Sequence, residues 1–259
     1  MRAELIPVGL LALLAGVVAA GAVHSSSARQ RRRDALVARE MVVTHADSLR
    51  GVTRKAVVPE GKGQTTPPAE LRGRVANLAP GTYVADILAE QDSVLYRWAE
   101  RPGAAVRVFV EPTSEAPAWS PAYPAMARDV FAEWSEAGFP LQFTFVYDSA
   151  TADIVIRWIG HFPPEGGQRI GETERVHTSA ALIARAQLTI ALHDSAGRTL
   201  SPATVGGIVR HEVGHALGLN HASVPSSVMY RESATSTIGA ADRATLRLLY
   251  LVPAGSLKD

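Results

Sequence analysis

Hydrophobic positions along this 259-residue chain change their spacing several times, and each change marks an element. Leu5 to Val23 carries no charge and is rich in Leu, Val and Ala, close to the length of one membrane-spanning helix. Apolar residues recur loosely near 34–48, where a short helix is expected. Val84, Ile87, Leu88, Gln91, Leu95 and Trp98 follow helical spacing, so a helix is predicted over 82–100, stopped by Pro102-Gly103. From Ala104 the period becomes two. Val106, Val108 and Val110 alternate with Arg107 and Phe109, as in a strand. Ser120-Pro121 reads as the cap and first residue of a helix. That helix would bury Met126, Val130, Phe131 and Trp134 and stop at Gly138, before Pro140. Leu141, Phe143, Phe145 and Tyr147 alternate as a second strand. Ile154 to Ile159 is apolar on both faces except at Arg157, which suits an interior strand. His161 to about Ser179 contains Gly and Pro and is read as a loop. A fourth strand is expected near Ala184 to Leu192. Ser201-Pro202 opens a helix carrying Val205, Ile208, Val209, Val213, Ala216 and Leu217. Strands separated by a helix, with further helices behind, predict a mixed α/β domain.

Composition divides the chain further. Residues 1–23 are read as a signal peptide or membrane anchor: Arg2 gives a basic start, and Ala20-Gly21-Ala22 resembles a cleavage site. Arg29, Arg31, Arg32 and Arg33 follow, and positive charge after an apolar segment tends to stay cytoplasmic, so cleavage and anchoring both remain open. Residues 24–75 form a basic linker, with Pro59-Glu-Gly-Lys-Gly-Gln-Thr-Thr-Pro-Pro68 a poor candidate for packed structure. Residues 76–103 are a helical upstream segment, and 104–259 the main domain. The chain has no cysteine, which excludes disulfides, thiolate metal ligands and a cysteine nucleophile. Its net charge of +1 gives no global field toward nucleic acid, and the arginine cluster is better explained as a topology or membrane-surface signal. No nucleic-acid partner is expected. A membrane contact through the N-terminal segment is expected, and a monomer.

The candidate chemistry lies in His211-Glu-Val-Gly-His-Ala-Leu-Gly-Leu-Asn-His221. His211 and His215 are four residues apart, so both imidazoles leave one helix face about a turn apart and can meet one ion. Gly218 can take a left-handed conformation and turn the chain sharply, which lets His221 return as a third ligand. Three neutral nitrogens leave a tetrahedral Zn2+ with one position for water, the pattern of a catalytic site rather than a structural one. Glu212 adjoins the first ligand and could accept that water's proton.

On these residues the chain resembles the metzincin zinc metallopeptidases, and specifically the matrixin (M10-type) catalytic domain. His211 to His221 is similar to their extended zinc signature, and Ser227-Val-Met-Tyr230 resembles their Met-turn. Ala152-Asp-Ile-Val-Ile156, the helix around Phe131-Ala-Glu-Trp134, and Asp242 ahead of Leu249-Tyr250 extend the likeness over about Ala104 to Pro253. The resemblance implies an α/β (α+β) zincin-like domain: a twisted mixed sheet of about five strands with three helices, and an active-site cleft between the edge strand and the zinc helix. It implies peptide-bond hydrolysis by a zinc-bound water activated by Glu212. His211, His215 and His221 would be the ligands, with Gly218 and Met229 structural near the site and Tyr230 lining the substrate pocket with 231–238. It also implies a protein or peptide substrate bound as an extended strand, here along the strand at 184–192.

Departures are plain. No cysteine is present to latch a zymogen. Ala241 stands where many matrixins have the first of two aspartates, so a newly cut N-terminus has no such partner. Nothing in the sequence specifies a second, structural zinc or a calcium; His177 precedes Thr178-Ser179, and His161, His177 and His193 are read as polar or capping histidines. The rival function is a non-catalytic, membrane-tethered binding module that keeps the metzincin zinc site. An intact Glu212 argues against it.

Overall fold

A computed structural model describes residues 43–47, 57–58, 67–101, 103–164, 167–232 and 236–258. These lie within one unit, Val42–Asp259. The apolar run 5–23 and the arginine cluster fall outside the described residues. Among the described residues no helix is long and apolar enough to cross a membrane.

The chain runs through β1 (Val43–Asp47), β2 (Val57–Val58), α1 (Pro68–Leu78), α2 (Val84–Glu90), β3 (Val94–Leu95), β4 (Arg97–Trp98) and β5 (Val106–Val110). It continues through α3 (Tyr123–Ser135), β6 (Phe143–Phe145), β7 (Ile154–Ile159), β8 (Gly171–Thr178), β9 (Leu182–Ala191), α4 (Pro202–Ala216), α5 (Ala240–Leu251) and β10 (Gly255–Ser256). The main sheet has the order β1-β8-β9-β7-β5-β6. Strands β9, β7, β5 and β6 are parallel, and β8 is antiparallel to β9. The mixed five-strand sheet β5–β9 with helices α3, α4 and α5 is the architecture that the resemblance implied.

The apolar alternation explains the parallel part. Val106, Val108 and Val110 turn inward from β5. Ile154, Ile156 and Trp158 of β7, with Leu188 and Ile190 of β9, are buried beneath α3 and α4. Asp153, just ahead of β7, binds this layer to the β5 backbone: its carboxylate accepts from Arg107 N at 2.9 Å and from the Arg107 and Arg101 guanidinium groups. Those contacts hold the Asp153 carboxyl below its usual range against the opposing effect of burial.

Five expectations need correction. The stretch 161–179 is not all loop, because Gly171–Thr178 is β8. Its inward positions, Gly171, Thr173, Arg175 and His177, are buried but not aliphatic, so no apolar alternation announces the strand. In consequence the strand near 184–192 is not an edge: β9 lies between β8 on one side and β7 and β4 on the other. The edge facing away from β9 belongs to β8, and it is paired there by β1, from Val43↔Val176 to Asp47↔Glu172, and by β2. The helix predicted over 82–100 covers only Val84–Glu90. Asp92 and Ser93 adopt positive φ, 54° and 63°, which breaks the helix; Leu95 and Trp98 are buried from short strands instead. The end of the helix expected near 34–48 that lies among the described residues is the strand β1. Tyr147, read as the end of the second strand, is 97% exposed, and β6 stops at Phe145.

Segment 67–98, read as linker and upstream helix, is built into the domain. Leu71, Ile87, Leu95 and Trp98 are fully or almost fully buried in the same core as α4 and α5. β3 pairs β10 near the end of the chain, and β4 pairs β9.

Candidate metal centre

Helix α4 begins as the sequence predicts. Ser201 caps it by accepting from Thr204 N at 3.1 Å, with Pro202 at the first position. From Val205 to Ala216 every residue but Arg210 is buried, so the helix crosses the interior, between the sheet and α3. Its last carbonyls, which an isolated helix leaves unpaired, all find partners. His215 O accepts from Arg175 Nη1 at 3.2 Å, Ala216 O from Trp98 Nε1 at 2.8 Å, and Leu217 O from the Tyr250 hydroxyl at 3.0 Å. Gly218 then turns the chain with φ 110°. A side chain there would also collide with the Tyr96 carbonyl oxygen, so both the conformation and the space require glycine.

The turn brings His221 back to His211 and His215. The three rings lie with centroids 4.7, 4.8 and 5.5 Å apart, and one nitrogen from each falls within 4.8 Å of the other two. Each Nδ1 faces an oxygen: His211 that of Val228 at 2.7 Å, His215 that of Leu219 at 3.0 Å, and His221 that of the Glu90 carboxylate at 2.8 Å. Those oxygens only accept, so each Nδ1 carries the hydrogen and each Nε2 presents a lone pair. The His211 and His215 Nε2 atoms are 3.0 Å apart, and the buried His221 Nε2 has no protein partner. Three inward lone pairs would repel one another without a cation, which is the donor set a tetrahedral zinc takes. Burial, then repulsion from His221, lowers His211 to about 4; burial also takes His215 well below its usual value. Both are therefore neutral at pH 7, the form a metal needs.

Glu212, the next residue after His211, is fully buried. Its Oε2 accepts from Thr173 Oγ1 at 2.7 Å, and the same hydroxyl lies 3.0 Å from the Glu212 carbonyl. Strand β8 passes so close that a side chain on Gly171 would overlap this carboxylate. Met229 is fully buried and lies against α4 at Gly214, between the first two ligands in sequence. Its turn is fixed by Asp242 of α5, which accepts from the Ser227 hydroxyl, from Val228 N at 3.2 Å and from Gly239 N at 2.7 Å. Since Val228 also holds His211, one buried aspartate supports the first ligand through the Met-turn.

The matrixin family model matches residues 107–251. The chain belongs to the matrixin family. Matrixins are zinc metalloproteases, and the His211, His215 and His221 group of this matrixin domain fits a zinc site. The curated proteins give no match to the chain.

The match begins at Arg107, yet the centre uses residues ahead of it. Glu90 at the end of α2 bonds His221, and Trp98 of β4 caps α4. Thr173 was hidden in a stretch read as loop. None of the three carries a motif; each becomes visible only when distant parts of the chain meet. Tyr230 is half-buried and bridges to Ala222, and 233–235 of the proposed pocket segment lie outside the described residues. Three other histidines stand elsewhere. His177 stacks on Tyr96 with centroids 4.3 Å apart, His193 meets Gly160 O and Thr199, and His161 is exposed.

Proposed function

We propose that the chain is a zinc-dependent endopeptidase in which Glu212 is the general base and then the general acid. The observation that carries this reading is the convergence of three lone-pair nitrogens beside a buried carboxylate already oriented by Thr173. His211, His215 and His221 would hold one zinc. When bound, that ion supplies Lewis acidity, lowering the pKa of water and polarising the scissile carbonyl. The Glu212 carboxylate takes the proton of the attacking water and returns it to the leaving amine. The Thr173 hydroxyl keeps that carboxylate in one orientation through the transfer.

The substrate is proposed to be a protein or peptide bound as an extended strand along the outer edge of β8, with Tyr230 and 231–238 lining a side-chain pocket. Support comes from the chain itself: residues 43–47 already add to that edge as an antiparallel strand, the pairing a substrate would use. A substrate taking the same register would displace β1. Residues 5–23 are proposed to export or anchor the protein.

A second reading is a binding module that keeps the metal but does not turn over. The covering of the β8 edge by β1 and β2 favours it. The two are separated by incubating the zinc-loaded chain with a peptide library and reading the products by mass spectrometry. An endopeptidase gives internal cuts that vanish with a chelator and return with added zinc. A binding module gives zinc uptake with no cuts.

A further inference from the structure

The third ligand differs from the first two in what holds it. His211 and His215 lie on α4 and rest on backbone carbonyls. His221 lies beyond the helix, on an extended stretch after the Gly218 turn, where no helical geometry fixes the ring. Its support is a carboxylate from the end of α2, 131 residues earlier in the chain. Glu90 Oε1 accepts from His221 Nδ1 at 2.8 Å, and Oε2 accepts from the His221 backbone N–H at 3.0 Å. Arg231 Nη2 meets the same Oε1 at 2.7 Å. The neighbouring residues repeat the arrangement: the Gln91 amide meets the Asn220 amide, and Asn220 Oδ1 accepts from the buried Arg175. So two consecutive residues of the α2 end clasp two consecutive residues of the ligand loop. One turn earlier, Asp86 accepts from Ser223 N at 2.8 Å.

We propose that Glu90 is the positioning residue of the zinc centre: its carboxylate fixes the tautomer and direction of His221 so that Nε2 faces the metal. This rests on the zinc reading above and adds that segment 67–98, outside the family match, completes the metal site. A carboxylate accepting from the far nitrogen of a ligating histidine makes that histidine a stronger and better-aimed donor. Backbone bonding by the second oxygen adds what a ring bond alone lacks, because it also fixes the loop from which the ring projects. The role of Glu90 as an acceptor matters as well as its shape. It draws hydrogen toward Nδ1 and leaves the lone pair on Nε2, the buried atom that has no other partner.

The test is zinc affinity, measured on the 259-residue chain by competition with a chromophoric chelator, for the wild type, Glu90→Gln, Glu90→Ala and Asp86→Ala. Cobalt substitution adds a visible spectrum that reports ligand geometry. Glu90→Ala is expected to weaken zinc binding by about 10–100-fold and to change the cobalt spectrum. Glu90→Gln, which can still accept from the ring but carries no charge, is expected to fall between it and the wild type. Asp86→Ala removes a contact of the same helix to the same loop without touching a ligand, and is expected to weaken binding less than either. If Glu90→Ala unfolds, as judged by circular dichroism, the comparison of Glu90→Gln with Asp86→Ala decides. Wild-type zinc affinity in Glu90→Gln, or an Asp86→Ala loss equal to that of Glu90→Ala, would overturn the assignment. Because the readout is metal affinity, it stands even if the zinc-loaded chain cleaves nothing; a wild-type chain that binds no zinc overturns both readings.

Discussion

Glu212→Gln is expected to slow peptide hydrolysis by about 10²–10⁴-fold, the usual contribution of a positioned acid/base group, while zinc content stays that of the wild type. The substitution is close to isosteric. It keeps an oxygen for the Thr173 hydroxyl, 2.7 Å away in the native chain, and it fits the space that Gly171 leaves for this side chain. Only the ability to hold a proton is lost. Glu212 is not one of the three converging residues, so the metal remains. Steady-state kinetics on a cleaved library peptide, with zinc measured by atomic absorption on the same sample, separates the two effects. Hydrolysis within a factor of a few of the wild type would remove Glu212 from the reaction.

His215→Ala has the other large effect, and by a different route. His215 is fully buried between the other two rings and supplies the nitrogen nearest His211. Without it two ligands remain. Zinc affinity should fall by more than the roughly 10–100-fold that loss of a supporting partner costs, and cleavage should fall to background. The fold should suffer as well. The Leu219 carbonyl loses the Nδ1 donor 3.0 Å away, and an unpaired buried acceptor costs about 1–3 kcal/mol. A His215→Ala protein that retains one equivalent of zinc by atomic absorption would refute the ligand assignment.

How much of this could be read without coordinates follows from distance along the chain. His211, Glu212, His215, Gly218 and His221 lie within one helix and one turn, so spacing alone specified which groups could meet. The helix start at Ser201-Pro202 and the strands at 106–110 and 154–159 were equally local, since their apolar alternation needs no partner to be recognised. Strand β8 was not legible, because its buried positions are Gly171, Thr173, Arg175 and His177. Polar groups face inward there since they serve Glu212 and the end of α4, and function thereby erased the pattern that marks a strand. That one omission also misplaced the sheet edge. Glu90 was hidden for another reason: it stands 131 residues from His221 and looks like an ordinary helix-end glutamate. The break after α2 depends on positive φ at Asp92 and Ser93, and neither residue type signals it strongly.

The upstream residues change the outline of the domain. The family match begins only at Arg107, after Glu90 and Trp98, yet Trp98 caps the zinc helix and Glu90 holds the third ligand. A fragment that begins at Ala104 would lack both, with the Ala216 carbonyl and the His221 Nδ1 left without their partners.

The most direct test adds zinc in steps to the metal-free 259-residue chain while hydrolysis of a susceptible peptide is followed. The rate should rise in proportion to zinc up to one equivalent and then stay level. Full hydrolysis without metal, or one equivalent of bound zinc with no hydrolysis of any peptide, would contradict an endopeptidase built on His211, His215, His221 and Glu212.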